Sequence, residues 1–206
     1  MNVRHPAGRA GRLWLEHRVQ VATTGADLLD KKRRVLLQEH RRLRVLARDT
    51  KEAWVQAARE ADTWVNRAAV LAGEEKLAMM AATHPRAEVT VRWRSSMGVA
   101  FASEAHVDVG ASPPTVSGGS AAADAAMPAA RRAVDAAVND AVAQSALKRV
   151  ARELAVTSRR HRALEHRWLP ALTIAAERLA AALDEIEREE ATRILWAKQH
   201  RKGKRL

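Results

Sequence analysis

The sequence predicts a mainly α-helical fold, a long antiparallel two-helix coiled coil with a small central β-hairpin and short-helix module. Three observations lead there. The first third of the chain carries an apolar series at heptad spacing, and the last third carries a second series of similar length. Between them the helical period gives way to alternating residues flanked by Pro and Gly. A long helix cannot bury its own apolar stripe, so each series needs the other as its partner.

The first helix is expected over 13–83. From Leu13 onward, Leu15, Ala22, Leu29, Leu36, Leu43, Thr50, Ala57, Trp64 and Leu71 repeat every seven residues. Val19, Ala26, Ala47, Trp54, Ala61 and Ala68 supply the flanking position, with Arg33 and His40 interrupting it. Such a seam, kept over about eight heptads, is a coiled-coil signature. Gly25 lies inside the pattern and costs about 1 kcal/mol relative to Ala. A break is expected near Gly73. Residues 1–12 hold Pro6, Gly8 and Gly11 among Arg4, Arg9 and Arg12, and read as a flexible basic start.

The central module is expected over 84–128. His84-Pro85 ends the helical pattern, because the residue before Pro is pushed out of the helical region. Val89, Val91 and Trp93 then alternate with polar residues, Ser95 to Gly98 reads as a turn, and Val99, Phe101, Val107 and Val109 follow. Two strands alone are marginal, so the hairpin must lie on a helix or a partner. It is expected away from the chain ends and dispensable for assembly. GASPPTVSGGS over 110–120 reads as an exposed loop.

The second helix is expected over 129–197, with a seam through Val134, Val138, Leu147, Val150, Leu154, Thr157, His161, Leu164, Trp168, Leu172, Leu179, Ile186 and Trp196. The spacing drifts at Leu169-Pro170, where Pro removes a backbone bond and bends the helix. An acidic block, Glu185, Glu187, Glu189 and Glu190, precedes a basic tail over 198–206. Folded back on itself, such a chain is a rod with both ends together, and Leu29 and Leu36 are expected to face residues 172–190.

Composition agrees with thin helix packing. Apolar residues make up 47% of the 206, but aromatics only 3%, with one Phe, no Tyr and six Trp. Ala and Leu dominate, which suits helix pairs and fills a thick core poorly. The absence of Cys excludes disulfides and thiolate chemistry. No run approaches the length of a membrane-spanning helix, and no signal-peptide pattern follows the basic start.

Catalytic constellations are missing. There is no GxxxxGK[ST] phosphate loop, and Gly118-Gly119-Ser120 lacks both the Lys and a preceding apolar strand. His161 and His166 do not share a helix face, no HExxH occurs, and Ser158, His161 and Asp184 are too far apart on a straight helix for a triad. A helix pair has no water-excluding pocket. No catalytic residue, cofactor or metal ligand is expected.

The remaining pattern carries a resemblance. Thr157, Arg159-Arg160, Ala163-Leu164-Glu165, Leu169-Pro170, Leu172, Glu185, Glu187-Arg188-Glu189-Glu190 and Arg193 resemble the C-terminal signature of the D subunit of the V-type and archaeal-type rotary ATPases. Arg12, Leu13, Leu15, Arg18, Gly25, Leu28-Leu29, Lys31 and Arg33 resemble its N-terminal part. The resemblance covers roughly 12–75 and 145–197. His161-Arg162 stand where that family often has Val-Asn, and the 110–128 insert is rich in Ala, Pro and Gly.

The resemblance implies a non-catalytic central-stalk protein, a rotor shaft of a proton- or sodium-translocating ATPase or ATP synthase. Its partners would be the catalytic A and B subunits of the head, a small rotor protein (the F subunit) and an adaptor on the membrane ring. It would sit at the cytoplasmic face of the cell membrane as a peripheral part of the complex. Arg12, Arg18, Arg159, Arg160, Glu165, Arg188 and Arg193 are the candidate partner contacts. The formal net charge of +12 also fits a basic coiled-coil protein that binds nucleic acid, or an adaptor that meets a membrane surface through 198–206. The positive charge is spread over three segments without a recognition motif, which weighs against nucleic acid.

Overall fold

The structure, a computed structural model, describes residues 3–83, 86–110 and 120–203, with side chains through Lys198. It is mainly α-helical with one antiparallel hairpin. In chain order it comprises α1 (Gly8–Ala72), α2 (Glu74–Thr83), β1 (Glu88–Ser96), β2 (Val99–Asp108), α3 (Ala121–Ala163), a π-helical turn (Leu164–Trp168) and α4 (Leu169–Gly203). The first helix therefore begins at Gly8, five residues before Leu13, and the second begins at Ala121 and continues through Pro128. The loop expected over 110–120 and the helix end at His84-Pro85 fall largely outside the described residues.

The chain forms two compact units, one from the described residues of 1–33 and 156–206, the other from Arg34–Ala155. In the first, α1 runs antiparallel to the helix that returns. Arg9 meets Glu187 at 2.8 Å, Leu15 packs with Leu172, and Gly25 lies against Leu164. Val19, Leu169 and Leu179 widen that core. Gly11 is required here. A Cβ at that position would lie 1.9 Å from the Pro6 carbonyl oxygen, so only hydrogen lets the N-terminal segment fold over the helix.

The second unit has two cores. Leu36 and Leu43 of α1, Val99 and Phe101 of β2, and Ala146 and Val150 of α3 form one, with Leu147 and Leu154 at its edge. Ala68, Met80, Ala122, Ala123 and Ala126 form the other, with Trp64, Leu77 and Met127 packed against it. Leu36 thus meets Val150 and Phe101, not residues 172–190. Leu29 departs from the expectation as well: within the first unit an antiparallel helix steps back as α1 steps forward, Leu15 has already reached Leu172 and Gly25 lies against Leu164, so Leu29 is past residues 172–190.

Between the helices of this unit lies a polar layer. Gln144 donates from Nε2 to the Ala47 carbonyl and to Asp140 Oδ1, both at 3.2 Å. The Thr50 hydroxyl is 2.9 Å from the Leu46 carbonyl and 3.4 Å from Asp140 Oδ1. Outside this layer, at the exposed edge, Glu60 and Arg132 pair across the same helices at 2.6 Å. Polar groups buried in a seam fix its register, because a slipped pairing would leave them without partners.

Local signals set the ends. Gly73 takes φ +87° and donates to the Ala69 carbonyl at 3.0 Å, the left-handed cap that closes α1. Glu74 and Glu75 then open α2 where the helix dipole favours negative charge. Ser120 caps α3, its Oγ accepting from the Ala123 N–H at 3.2 Å.

The hairpin turns at Met97-Gly98, both with positive φ (49° and 79°), as a type I′ turn requires. A bulge interrupts its ladder. Arg92 pairs with Glu104 and Trp93 with Ala102, leaving Ser103 extra, and its hydroxyl returns to the Arg92 carbonyl at 3.2 Å. The side of β1 that carries Val89 and Trp93 is not the packing face. Val89 and Trp93 are exposed, while Val99, Phe101 and Ala102 of the other strand are buried. Trp93 instead stands over Arg149, whose guanidinium carbon is 5.9 Å from the ring centre.

Candidate interaction surface

All seven residues singled out from the sequence fall in the first unit. They form two groups. Arg12 and Arg18 lie on α1, and of the two Arg12 feels the acidic stretch of α4 through Asp184 and Glu187. Arg12 donates to Glu16 Oε1 at 2.9 Å. That bond and the charge of Glu16 hold its guanidinium above the ordinary Arg range, with smaller help from Asp184 and Glu187. Arg18 stacks over Trp14, 5.1 Å from the ring centre. Arg188 pairs with Glu185 at 3.3 Å, and Arg193 with Glu189 at 3.4 Å, along one face of α4. These pairs are exposed and contribute little to stability.

The second group surrounds the π-helical turn. Arg159 and Arg160 are exposed at the end of α3. Glu165 Oε2 lies 3.4 Å from His161 Nδ1 and 3.6 Å from His166 Nε2. His161 is largely sheltered and His166 is open to water. The turn itself is defined by the Leu169 N–H donating to the Leu164 carbonyl, five residues back. Pro170 explains it. In an α-helix its ring would crowd the His166 carbonyl and leave that oxygen without a donor, and one wider turn avoids the clash.

Two apolar surfaces were not foreseen. At the end of α4, Ile194 and Leu195 are exposed beyond the point where α1 begins opposite Glu187. In the second unit, Val70, Leu71 and Met79 are 85%, 69% and 71% exposed beside Gly73. Leu71 continues the heptad series, so spacing alone assigned it to the seam. What removes it is the helix end one residue later. The run Ile194-Leu195-Trp196 after the acidic block was the sequence signal for the first surface. No helix among the described residues is long and apolar enough to cross a membrane.

Comparison with known proteins gives the family. The sequence profile of the ATP synthase D subunit matches residues 13–199. The V-type ATP synthase D subunit of Anaeromyxobacter dehalogenans strain 2CP-1 is 38% identical over 197 residues, covering 90% of this chain and 91% of the relative. The A-type ATP synthase D subunit of Methanopyrus kandleri is 32% identical over 200 residues, covering 94% and 85%. That of Haloarcula marismortui is 29% identical over 193 residues, covering 90% and 83%. The chain belongs to the family of ATP synthase D subunits, non-catalytic components of V/A-type ATP synthase complexes.

Proposed function

We propose that this protein is the central rotor shaft of its complex, carrying rotation between a membrane ring and a head of A and B subunits that holds the catalytic sites. The observation that carries the reading is the end of the first unit. Helix α1 starts opposite Glu187, and α4 runs on to Gly203, roughly 24 Å further at the α-helical rise. Exposed Ile194 and Leu195 on that extension are apolar area that a surrounding partner would remove from water. Exposed Arg and Glu pairs beside them offer charge to the walls of a ring without a deep apolar contact that would hold one position.

On this reading the partners are the A and B subunits around α4 and the start of α1, the small F subunit on the side of the helices, and an adaptor that reaches the ring. The complex lies at the cytoplasmic face of the cell membrane, coupled to protons or sodium ions. Arg12, Arg18, Arg159, Arg160, Glu165, Arg188 and Arg193 are the proposed contacts.

The test is purification of the chain with its partners at physiological salt. One copy with a large ATP-binding hexamer and one small partner is the expected result. Nucleic acid in place of those proteins, lost steeply as salt rises, would overturn it in favour of the basic-protein reading. Reversing charge together at Arg159, Arg160 and Arg188 is expected to lower ATP turnover or its coupling to ion movement while helicity stays unchanged. Full turnover and coupling in an intact complex would return those arginines to ordinary solvated surface.

A further inference from the structure

Two weak stretches of helix face each other in the first unit. On α1 the stretch is Thr23-Thr24-Gly25. The Thr23 hydroxyl bonds back to the Val19 carbonyl at 2.9 Å, and the Thr24 hydroxyl to the Gln20 carbonyl at 3.0 Å. Such back-bonds compete with the helix ladder and bend it. Gly25 follows and lowers helix stability relative to Ala. Its lack of a side chain is not demanded by space. A Cβ there would meet only Leu164 Cδ1, at 3.7 Å, an ordinary contact.

On the opposite helix the stretch is Leu164–Pro170. Leu164, the residue that touches Gly25, is the first residue of the π-helical turn, and Pro170 closes the segment without an N–H to donate. A π turn holds one residue more than the α-helix it interrupts. It can pass that residue along and turn back to α, at the cost of rotating the helix beyond it. Each stretch alone is a common irregularity. Their direct opposition puts an irregular stretch of one helix against an irregular stretch of the other.

We propose that Thr23–Gly25 and Leu164–Pro170 form one paired hinge, at which the helix pair bends and rewinds by exchange between π and α turns. The device belongs to the folded chain itself. It stands or falls separately from the rotor role, since its test uses no other protein.

The test is amide hydrogen exchange on the 206-residue chain and two variants. In the parent, amides of 21–27 and of 165–172, Pro170 excepted, are expected to exchange faster than those of the packed positions on either side. Gly25→Ala, whose methyl fits, is expected to slow exchange about fivefold at 21–27 and also at 165–172. Deleting Arg167 together with Pro170→Ala removes the extra residue and the ring. That variant is expected to keep the Arg9–Glu187 register and lose the fast exchange on both helices. Uniform protection in the parent would overturn the proposal. So would a Gly25→Ala effect confined to α1, which would make the two stretches independent. If the shortened variant does not fold, Gly25→Ala decides alone.

Discussion

Gln144 reaches across the second unit to donate to the main-chain carbonyl of Ala47 at 3.2 Å, while its other amide hydrogen serves Asp140. One side chain therefore satisfies a buried carboxylate on its own helix and locks that helix to its neighbour. Gln144→Leu is expected to destabilise the chain by about 1–3 kcal/mol, because buried Asp140 then keeps only the longer contact from the Thr50 hydroxyl, at 3.4 Å. Urea unfolding should show a lower midpoint at unchanged slope. Adding Asp140→Ala should recover part of the loss, and strict additivity of the two changes would show that they do not act through each other.

Phe101 is the largest fully buried side chain, seated among Leu36, Leu43, Ala146 and Val150. Phe101→Ala is expected to cost about 3–5 kcal/mol through lost burial and the cavity left behind. A cost below about 1 kcal/mol in denaturant unfolding would mean that the hairpin does not close this core in solution. Because the hairpin contributes Val99 and Phe101 to this core, its removal is expected to disturb the helices beneath it, against the expectation from sequence that it is dispensable for assembly.

The turn offers a change in the other direction. Met97 sits at φ 49°, a conformation its side chain resists and Asn tolerates. Met97→Asn is expected to stabilise the chain by roughly 0.5–1 kcal/mol, read as a higher denaturation midpoint. Met97 is exposed, so little packing is lost to mask the gain.

Gly11→Ala should act locally. The new methyl cannot share space with the Pro6 carbonyl, so the segment from Val3 to Pro6 must lift from the helix. Val3 packs on the core of Leu15 and Leu172, and its departure is expected to speed amide exchange over residues 11–15. Unchanged exchange there would show that the segment does not rest on Gly11 in solution.

Much of this architecture was legible from the chain alone. The heptad positions Leu15, Ala22, Leu36, Leu43, Ala47, Ala61 and Ala68 are the buried side of α1, because the helical period decides which residues share a face. Gly73 announced the break, since its φ suits a left-handed cap. Pro170 announced a disturbance in the returning helix. The family signature was legible too, as a set of residue types at fixed spacing.

Other features needed the third dimension. The seam of the returning helix was read from its large residues, yet Ala122, Ala123, Ala126, Ala129, Ala143 and Ala146 are buried while Val134, Trp168 and Ile186 are exposed. Ala marks no face by itself, so in a seam built of Ala only the position of the opposing helix reveals which side is inside. The π-helical turn compounds this, since one extra residue shifts the phase of everything beyond it. The hairpin face was decided the same way. Both strands alternate, and what buries Phe101 rather than Trp93 is the groove that Leu36, Leu43 and Val150 present to it. Periodicity within an element is a local property and is written in the sequence. Register between elements depends on which side chains fit together, and only the packed structure settles it.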